Sequence, residues 1–569
     1  MAPSGGGAAS RWVRPGDPDW PSPEAWEALS RQVHGRLIQV ESPLDVCRAD
    51  PLSESCAEIF RGLKNPYYIG DNPALTQTSG WLDAWTSSPS EYAVAAEETA
   101  DVVAAVSFAR ENRVRLVVKG GGHSYHGTSN APDSLLVWTR RMNAIELHDA
   151  FMPQGCDGRT EPQPAVTVGA GAIWMHVYQA VTPGAGRYVQ GGGCATVGVA
   201  GLVQSGGFGS FSKRFGLAAA GLLEAEVVTS DGRVRIANAC TEPDLFWALK
   251  GGGGGNFGVV TRLTLRTREL PATFGVVFGT IRASSDDTYR TLLARFLSHY
   301  RDRLMNPHWG ETVRFEDDNT LGLSMLHQGL SQEEAEAAWR PFLDWIAGLP
   351  DDYEWDEPPT IVAFPARGFW DPAFFREAAP DAVLTDDRPG APAENIYWAT
   401  NRGEAGMYLH AYRSAWMPAS LLSDDLLPAL ADALFAASRR WTTSLHFNKG
   451  LAGAPPEEIA AARDTAMNPA VLDAFALAIV AGEGPPAFAG IQGHEPDLPR
   501  GRRAAERINA AMAELLKVVP NAGSYVSESD YFEADWQRSY WGSNYPRLAE
   551  VKRRYDPNGL FVVHNGVAS

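Results

Sequence analysis

A histidine and a cysteine, each set among glycines, are the two groups in this chain best placed for chemistry. The first cluster reads Lys119-Gly120-Gly121-Gly122-His123-Ser124-Tyr125, and the second runs from Gly191-Gly192-Gly193-Cys194 through Thr196-Val197-Gly198 to Ser205-Gly206-Gly207-Phe208-Gly209. Glycine lets backbone N–H groups come close to a ligand where a Cβ would collide, and a loop of such amides cradles phosphate or another anion. One nucleophilic imidazole and one thiol, framed this way, point to two attachment points on a single large cofactor.

Both clusters need rigid elements to deliver them. Val102, Val106 and Ala109 recur at helical spacing after Glu98, and Val114 to Val118 reads as a buried strand that feeds the first cluster. Ala165 to Val168 reads as a second strand and Trp174 to Val181 as a helix before the second cluster. Leu223 to Thr229, the Asp231-Gly232 turn and Val234 to Ala237 predict a hairpin. Gly253 to Gly258 matches the G-x-G-x-x-G pattern, but a helical stretch (Asp244 to Lys250) precedes it and a strand (Val259 to Leu265) follows. That is the reverse of a dinucleotide site, so a glycine turn beside a cofactor is the better reading. Beyond Pro271 the character changes to strands such as Leu321 to Leu326 with amphipathic helices. One helix opens with a capping box at Ser331 and Glu334, and others cover Ser423 to Trp441 and Arg503 to Val519. Ala470 to Gly482 is too short to cross a membrane and reads as a buried helix.

The 569 residues are 44% hydrophobic and 21% charged, as in an ordinary soluble globular protein. A net charge of -19 would repel phosphate backbones and anionic lipid, which argues against nucleic-acid and membrane-surface partners. The start, Met1-Ala2-Pro3-Ser4 and glycines, lacks a basic-then-apolar signal pattern and reads as a disordered leader or trimmed end. If a cofactor uses Cys194, four cysteines remain: Cys47 with Cys56 could close a small loop, leaving Cys156 and Cys240 to pair. Four buried free thiols are the alternative, and a cytoplasmic or exported location stays open with them.

Together the clusters and their surroundings resemble the berberine bridge enzyme-like flavoproteins of the vanillyl-alcohol oxidase and p-cresol methylhydroxylase superfamily. The resemblance rests on Gly121-Gly122-His123-Ser124-Tyr125, on Gly193-Cys194-Ala195-Thr196-Val197-Gly198-Val199 and on Asp244-Leu245-Phe246-Trp247-Ala248-Leu249-Lys250-Gly251-Gly252. It also rests on Trp541-Gly542-Ser543-Asn544-Tyr545-Pro546-Arg547-Leu548 and Lys552-Arg553-Arg554-Tyr555-Asp556-Pro557-Asn558. The family has Arg more often at Lys119 and Pro at Ala195, and neither departure removes an attachment atom.

The resemblance implies an α+β fold. An FAD domain of two α/β subdomains would be formed by residues 66–270 and completed by 501–569, after an N-terminal extension at 1–65. A substrate domain at 271–500, an antiparallel sheet backed by helices, would be inserted between them. It implies bicovalent FAD, with His123 on the 8α-methyl carbon and Cys194 on C6. The other cofactor-binding positions would be Gly120, Gly121, Gly122, Ser124, Tyr125, Gly193, Thr196, Val197, Gly198, Gly206, Gly207, Gly258, Val259 and Asn544. No metal is expected. Val197 stands where relatives carry an oxygen-gating residue, and valine there resembles the oxidases.

The expected reaction is oxidation of an alcohol, a saccharide or other polyhydroxy compound, with O2 reduced to H2O2. A dehydrogenase, or a tailoring enzyme acting on an aromatic, alkaloid or polyketide substrate, is the rival. Many bacterial relatives carry Tyr-x-Asn-Tyr-x-Asp in the tail; here it reads Tyr525-Val526-Ser527-Glu528-Ser529-Asp530, placing Glu528 at the catalytic tyrosine. Glu528 is therefore the expected base, with Tyr525 as hydrogen-bond partner or second choice. Alternation over Met407 to Arg413 puts Tyr408, His410 and Tyr412 on one strand face, able to stack a substrate ring or to pack under helices. Trp309, Trp370, Trp398 and His446 are weaker candidates.

Overall fold

The computed structural model describes residues 12–568; the start of the chain, on which the leader reading falls, lies outside them. Among the described residues, three large sheets and a two-stranded ribbon (Val383–Thr385 with Ile396–Trp398) organise an α+β structure. The first has the strand order Leu37–Gln39, Tyr92–Ala95, Ser134–Trp138, Arg115–Lys119, with the last three parallel. The helix Thr99–Asn112 carries the chain from Tyr92–Ala95 across to Arg115–Lys119, leaving room between them for Ser134–Trp138, and it buries Val102, Ala105, Val106 and Ala109. Its first turn is closed by a capping box between Glu98 and Asp101. Arg115–Lys119 then runs directly into the first glycine cluster.

The second sheet is antiparallel: Val234–Asn238, Leu222–Val228, Val259–Glu269, Gln163–Gly169 and Ile145–Phe151, with Arg187–Val189 pairing the far end of Val259–Glu269. The predicted hairpin is its edge. The Gly253 turn follows the helix Pro243–Leu249 and precedes Val259–Glu269, in the order expected. Cys156 and Cys240 lie at disulfide distance, as do Cys47 and Cys56.

The third sheet has nine strands, ordered from Tyr353–Pro365 through Thr273–Ala283, Thr320–Gln328, Trp309–Phe315, Thr443–His446, Ala474–Gly484 and Met407–Pro418 to Thr78–Trp81 and Trp85–Thr86. Thr78–Trp81 comes from far earlier in the chain and pairs parallel with Met407–Pro418, which no local pattern foretells. One face packs under the helices Asp286–His299, Gln332–Ala347, Leu427–Ser438 and Leu498–Leu515. The other face lies against Phe208, Leu217 and Met467 and looks toward the glycine clusters.

The stretch Ala470 to Gly482 is not the expected helix. Pro469–Leu472 forms one 3-10 turn, and Ala474–Gly484 is a central strand. Phe475, Ala478 and Val480 meet the helices while Leu477 and Ile479 meet the opposite face, so both sides are apolar and the alternation that marks a strand is erased. Trp309 belongs to the core under the helices, and Trp370 stacks on Tyr178 with centroids 4.1 Å apart.

The Cys156–Cys240 link closes a span of 84 residues and fastens the two ends of the second sheet. A link over that span restricts the unfolded chain by about 4 kcal/mol. The paired variant Cys156→Ser/Cys240→Ser should therefore melt several degrees lower in non-reducing buffer, and the gap between variant and wild type should close in reductant, which opens the Cys47–Cys56 link of both.

Candidate active site

The two glycine clusters meet backbone to backbone. A Cβ on Gly121 would lie 2.6 Å from the amide nitrogen of Gly198 and 2.7 Å from the carbonyl oxygen of Thr196. Only hydrogen at that position allows the contact, and it brings His123 against the second loop: its Nε2 lies 3.0 Å from Thr196 Oγ1. Loss of solvent draws the His123 ring down to about 4, so the imidazole is neutral near pH 7. A neutral ring keeps one nitrogen with a lone pair able to attack carbon.

The loop also fits an anionic cofactor. Among the described residues, the N–H groups of Gly121 through Tyr125 find no acceptor in the protein. Five consecutive amide donors without partners form the cradle expected for a pyrophosphate. A Cβ at Gly193 or Gly201 would meet nothing within 4 Å, so the chain stands open along the second loop. Ser124 is spent locally, accepting from the Thr128 hydroxyl and N–H.

Cys194 is half-buried and is the free cysteine, the other four being paired. Its Sγ is 3.6 Å from Glu404 Oε2 and receives Asn401 Nδ2 at 3.6 Å. Asn401 Oδ1 in turn accepts the Ala195 N–H. Burial, then the charges of Glu404 and Glu528, push the thiol well above its ordinary range. Burial likewise lifts Glu404 to about 7. Trp398 Nε1 donates to the Gly193 carbonyl on the other side of the cysteine.

The tail turn comes to the same place. Tyr525 OH accepts the Gly207 N–H at 3.3 Å, and burial next to Glu528 holds this phenol well above its usual range. Glu528 pairs with Lys449, just beyond the strand Thr443–His446, and Ser414 of Met407–Pro418 donates to the Glu528 carbonyl. Tyr125 and Tyr412 lie ring to ring at 5.2 Å. Burial pushes both phenols up, with Glu404, Glu528 and Cys194 adding to the effect.

Tyr408 and His410 do not share that face. Leu409 pairs with Glu483 and Ala411 with Gly482, so His410 is the extra residue of a bulge. The bulge turns His410 toward Gly501 in the helix Leu498–Leu515, while Tyr408 packs over Gly80. Only Tyr412 of the three reaches the tyrosines and carboxylates near Cys194. His446 sits near Lys449 with its Nε2 on Ser444 Oγ.

Other predicted positions lie in supporting contacts. Gly206 and Gly207 have positive φ and pack where a Cβ would strike Met467 and Leu202. Asn544 gives its amide to the Met467 and Thr465 carbonyls. Gly120 passes close to the Ala170 carbonyl, Gly258 lies against Val227, and Val259 is fully buried. Val197 is half-buried, its carbonyl taking the Trp174 N–H. Sequence reading missed Glu404, Asn401, Lys449, Glu311 and Glu483. All five are single polar residues with no spacing signal; an acid such as Glu311, held at φ 71 within a strand, betrays itself only in three dimensions.

Comparison with known proteins matches residues 90–238 to the FAD binding domain family and residues 524–568 to the family described as berberine and berberine like. The chain thus carries an FAD binding domain and a berberine-like C-terminal segment. A VAO-type flavoprotein oxidase of Thermothelomyces thermophilus is 28% identical over 98% of this chain and 92% of its own. An FAD-linked oxidoreductase of Trichophyton verrucosum is 29% identical over 99% and 91%. The crystal structure of a VAO-type flavoprotein from Myceliophthora thermophila superposes with a TM-score of 0.79 at 26% identity, covering 98% of this chain and 97% of that one. A glucooligosaccharide oxidase of Acremonium strictum, described with 6-S-cysteinyl, 8α-N1-histidyl FAD, shares the fold at 20% identity and a TM-score of 0.65, over 92% and 99%. This flavoprotein is thus an FAD-dependent oxidoreductase, and no helix among its described residues is long and apolar enough to cross a membrane.

Gly121→Ala tests the contact on which the site is built. Neither neighbour is a flexible side chain, so the loops must part, at a cost of about 1–3 kcal/mol. The purified variant should carry markedly less FAD per chain than wild type, read from the ratio of flavin to protein absorbance.

Proposed function

We propose that the chain is an oxidase whose FAD is bonded twice, from His123 to the 8α-methyl carbon and from Cys194 to C6, and that it oxidises a hydroxyl-bearing carbon of a polyhydroxy substrate. The observation that carries this reading is the Gly121–Gly198 contact, which sets a neutral imidazole and the free thiol on two touching loops. When bound, the flavin supplies two-electron oxidation, taking hydride at N5 and passing the electrons to O2 as H2O2.

The chain's own part is to bind, orient and move a proton. The amides of Gly121 to Tyr125 hold the pyrophosphate. Glu528 accepts the substrate hydroxyl proton, with Lys449 balancing its charge. Tyr525, held as a neutral phenol by burial, orients the hydroxyl and is itself fixed by the Gly207 N–H. Val197 leaves room for oxygen. In this proposal residues 66–270 and 501–569 make the flavin domain, 271–500 the substrate domain and 1–65 an extension. The two cysteine links fit an exported protein. The Tyr125–Tyr412 ring pair supports a second reading, an aromatic or secondary-metabolite alcohol as substrate.

Acid-precipitated, washed protein should stay yellow. His123→Ala and Cys194→Ala should each retain flavin through the remaining bond, and the double variant should release it. Colourless wild-type precipitate from a flavin-replete preparation would overturn the reading. Alcohol turnover in air should yield peroxide; bleaching without peroxide would make the chain a dehydrogenase.

Glu528→Gln should lower kcat by roughly 10²–10⁴-fold with flavin content unchanged, and Tyr525→Phe should cost less, about tenfold. Equal activity of Glu528→Gln and wild type across a panel of sugars and aromatic alcohols would remove Glu528 from the mechanism.

A further inference from the structure

We infer that Glu404 is the base that removes the Cys194 proton when the thiol bonds to the flavin; this rests on the two-bond attachment proposed above. Glu404 follows the 3-10 turn Ala399–Gly403 and precedes the strand Met407–Pro418, and that turn presents two side chains to one sulfur. The carboxylate accepts from the thiol at 3.6 Å, while Asn401 donates to the same sulfur at 3.6 Å. One partner takes the proton, and the other stabilises the thiolate left behind.

The thiol needs such help. Burial and two neighbouring carboxylates oppose its ionisation, and Lys449, the cation whose field reaches it, is paired to Glu528. A buried thiol in negative surroundings is inert unless a base lies against it. Burial has brought Glu404 to about 7, so it is ionised in a useful fraction at neutral pH and can hold a proton once it has one. Moving the proton from sulfur to Glu404 leaves the net charge of the pair unchanged, so no second charge is buried. His123 lies against Thr196 rather than Glu404, and its neutral ring already offers a lone pair. The two attachments therefore part company in their dependence on Glu404.

The balance is simple. The Sγ–C6 bond forms, and the S–H and C6–H bonds are lost. Dioxygen is the oxidant: the two electrons and two protons released leave on it as hydrogen peroxide.

The test loads FAD in air into full-length chain produced in flavin-starved cells. Intact mass reports total flavin, and iodoacetamide added to the denatured, unreduced protein caps Cys194 only while it is unbonded. In wild type, Cys194 should become protected, at a rate that rises with pH and levels off above about 7, the range of Glu404. Glu404→Gln should still gain the flavin mass through His123, while its thiol bond forms roughly a hundredfold more slowly. Glu404→Asp, or a higher pH, should restore part of the rate. Protection of Cys194 in Glu404→Gln at the wild-type rate overturns the inference. So does a wild-type rate that is flat through neutral pH, which decides the matter if Glu404→Gln does not fold. A wild-type chain that gains flavin mass while Cys194 stays alkylable overturns the two-bond reading itself, and the inference with it.

Discussion

The contact between Gly121 and the Thr196–Gly198 backbone is the constraint on which the site depends. It joins two loops that leave different sheets, and it works because neither glycine has a side chain to hold them apart. Each loop must already be stiff for the contact to fix anything. The first is held from below by Lys119, whose buried ammonium donates to the carbonyls of Asn72, Pro73 and Leu75 while its stem lies under Gly122. The second is held by Trp174 and Met175 amides on the Val197 and Ala195 carbonyls, and by Tyr178 OH on Gly192.

Lys119 is one of several buried amines used in this way. Lys213 donates to the carbonyls of Gly450, Ala452 and Phe475, tying the segment after the second glycine cluster to the face of the large sheet. Burial without a carboxylate partner draws both amines down to about 7. Three oriented carbonyl dipoles per amine offset part of the desolvation. Lys552 does the same work with a carboxylate added, donating to the Asn256 and Phe561 carbonyls and pairing with Asp556. Sheet, loops and tail are thus connected at points where a hydrophobic side chain could not specify register.

What could be read in the sequence divides along the range of the signal. The His123 and Cys194 frames, the helix Thr99–Asn112 and the hairpin after Leu222 are encoded by neighbours within a few positions, and they stand where the pattern puts them. Ala474–Gly484 misleads because it is covered on both faces, so its apolar run carries no period. The alternation at Tyr408, His410 and Tyr412 misleads for a different reason: one inserted residue shifts the faces, and a bulge depends on the partner strand rather than on the sequence that contains it. Glu404 and Lys449 left no trace, since a lone charged residue in a turn is most often solvated.

The charges missed in this way explain the electrostatics of the site. Four carboxylates, Glu311, Glu404, Glu483 and Glu528, come from separate strands and turns, and Lys449 pairs with only one of them. Burial raises Glu311, Glu404 and Glu483, which eases the repulsion among carboxylates gathered with a single lysine. The same surroundings keep Tyr125, Tyr412 and Tyr525 as phenols. Two ion pairs, Lys449 with Glu528 and Arg413 with Asp530, fix the tail turn against the sheet. That arrangement suits a neutral hydroxyl substrate, because a proton can be taken and passed on without creating an uncompensated charge in a buried place.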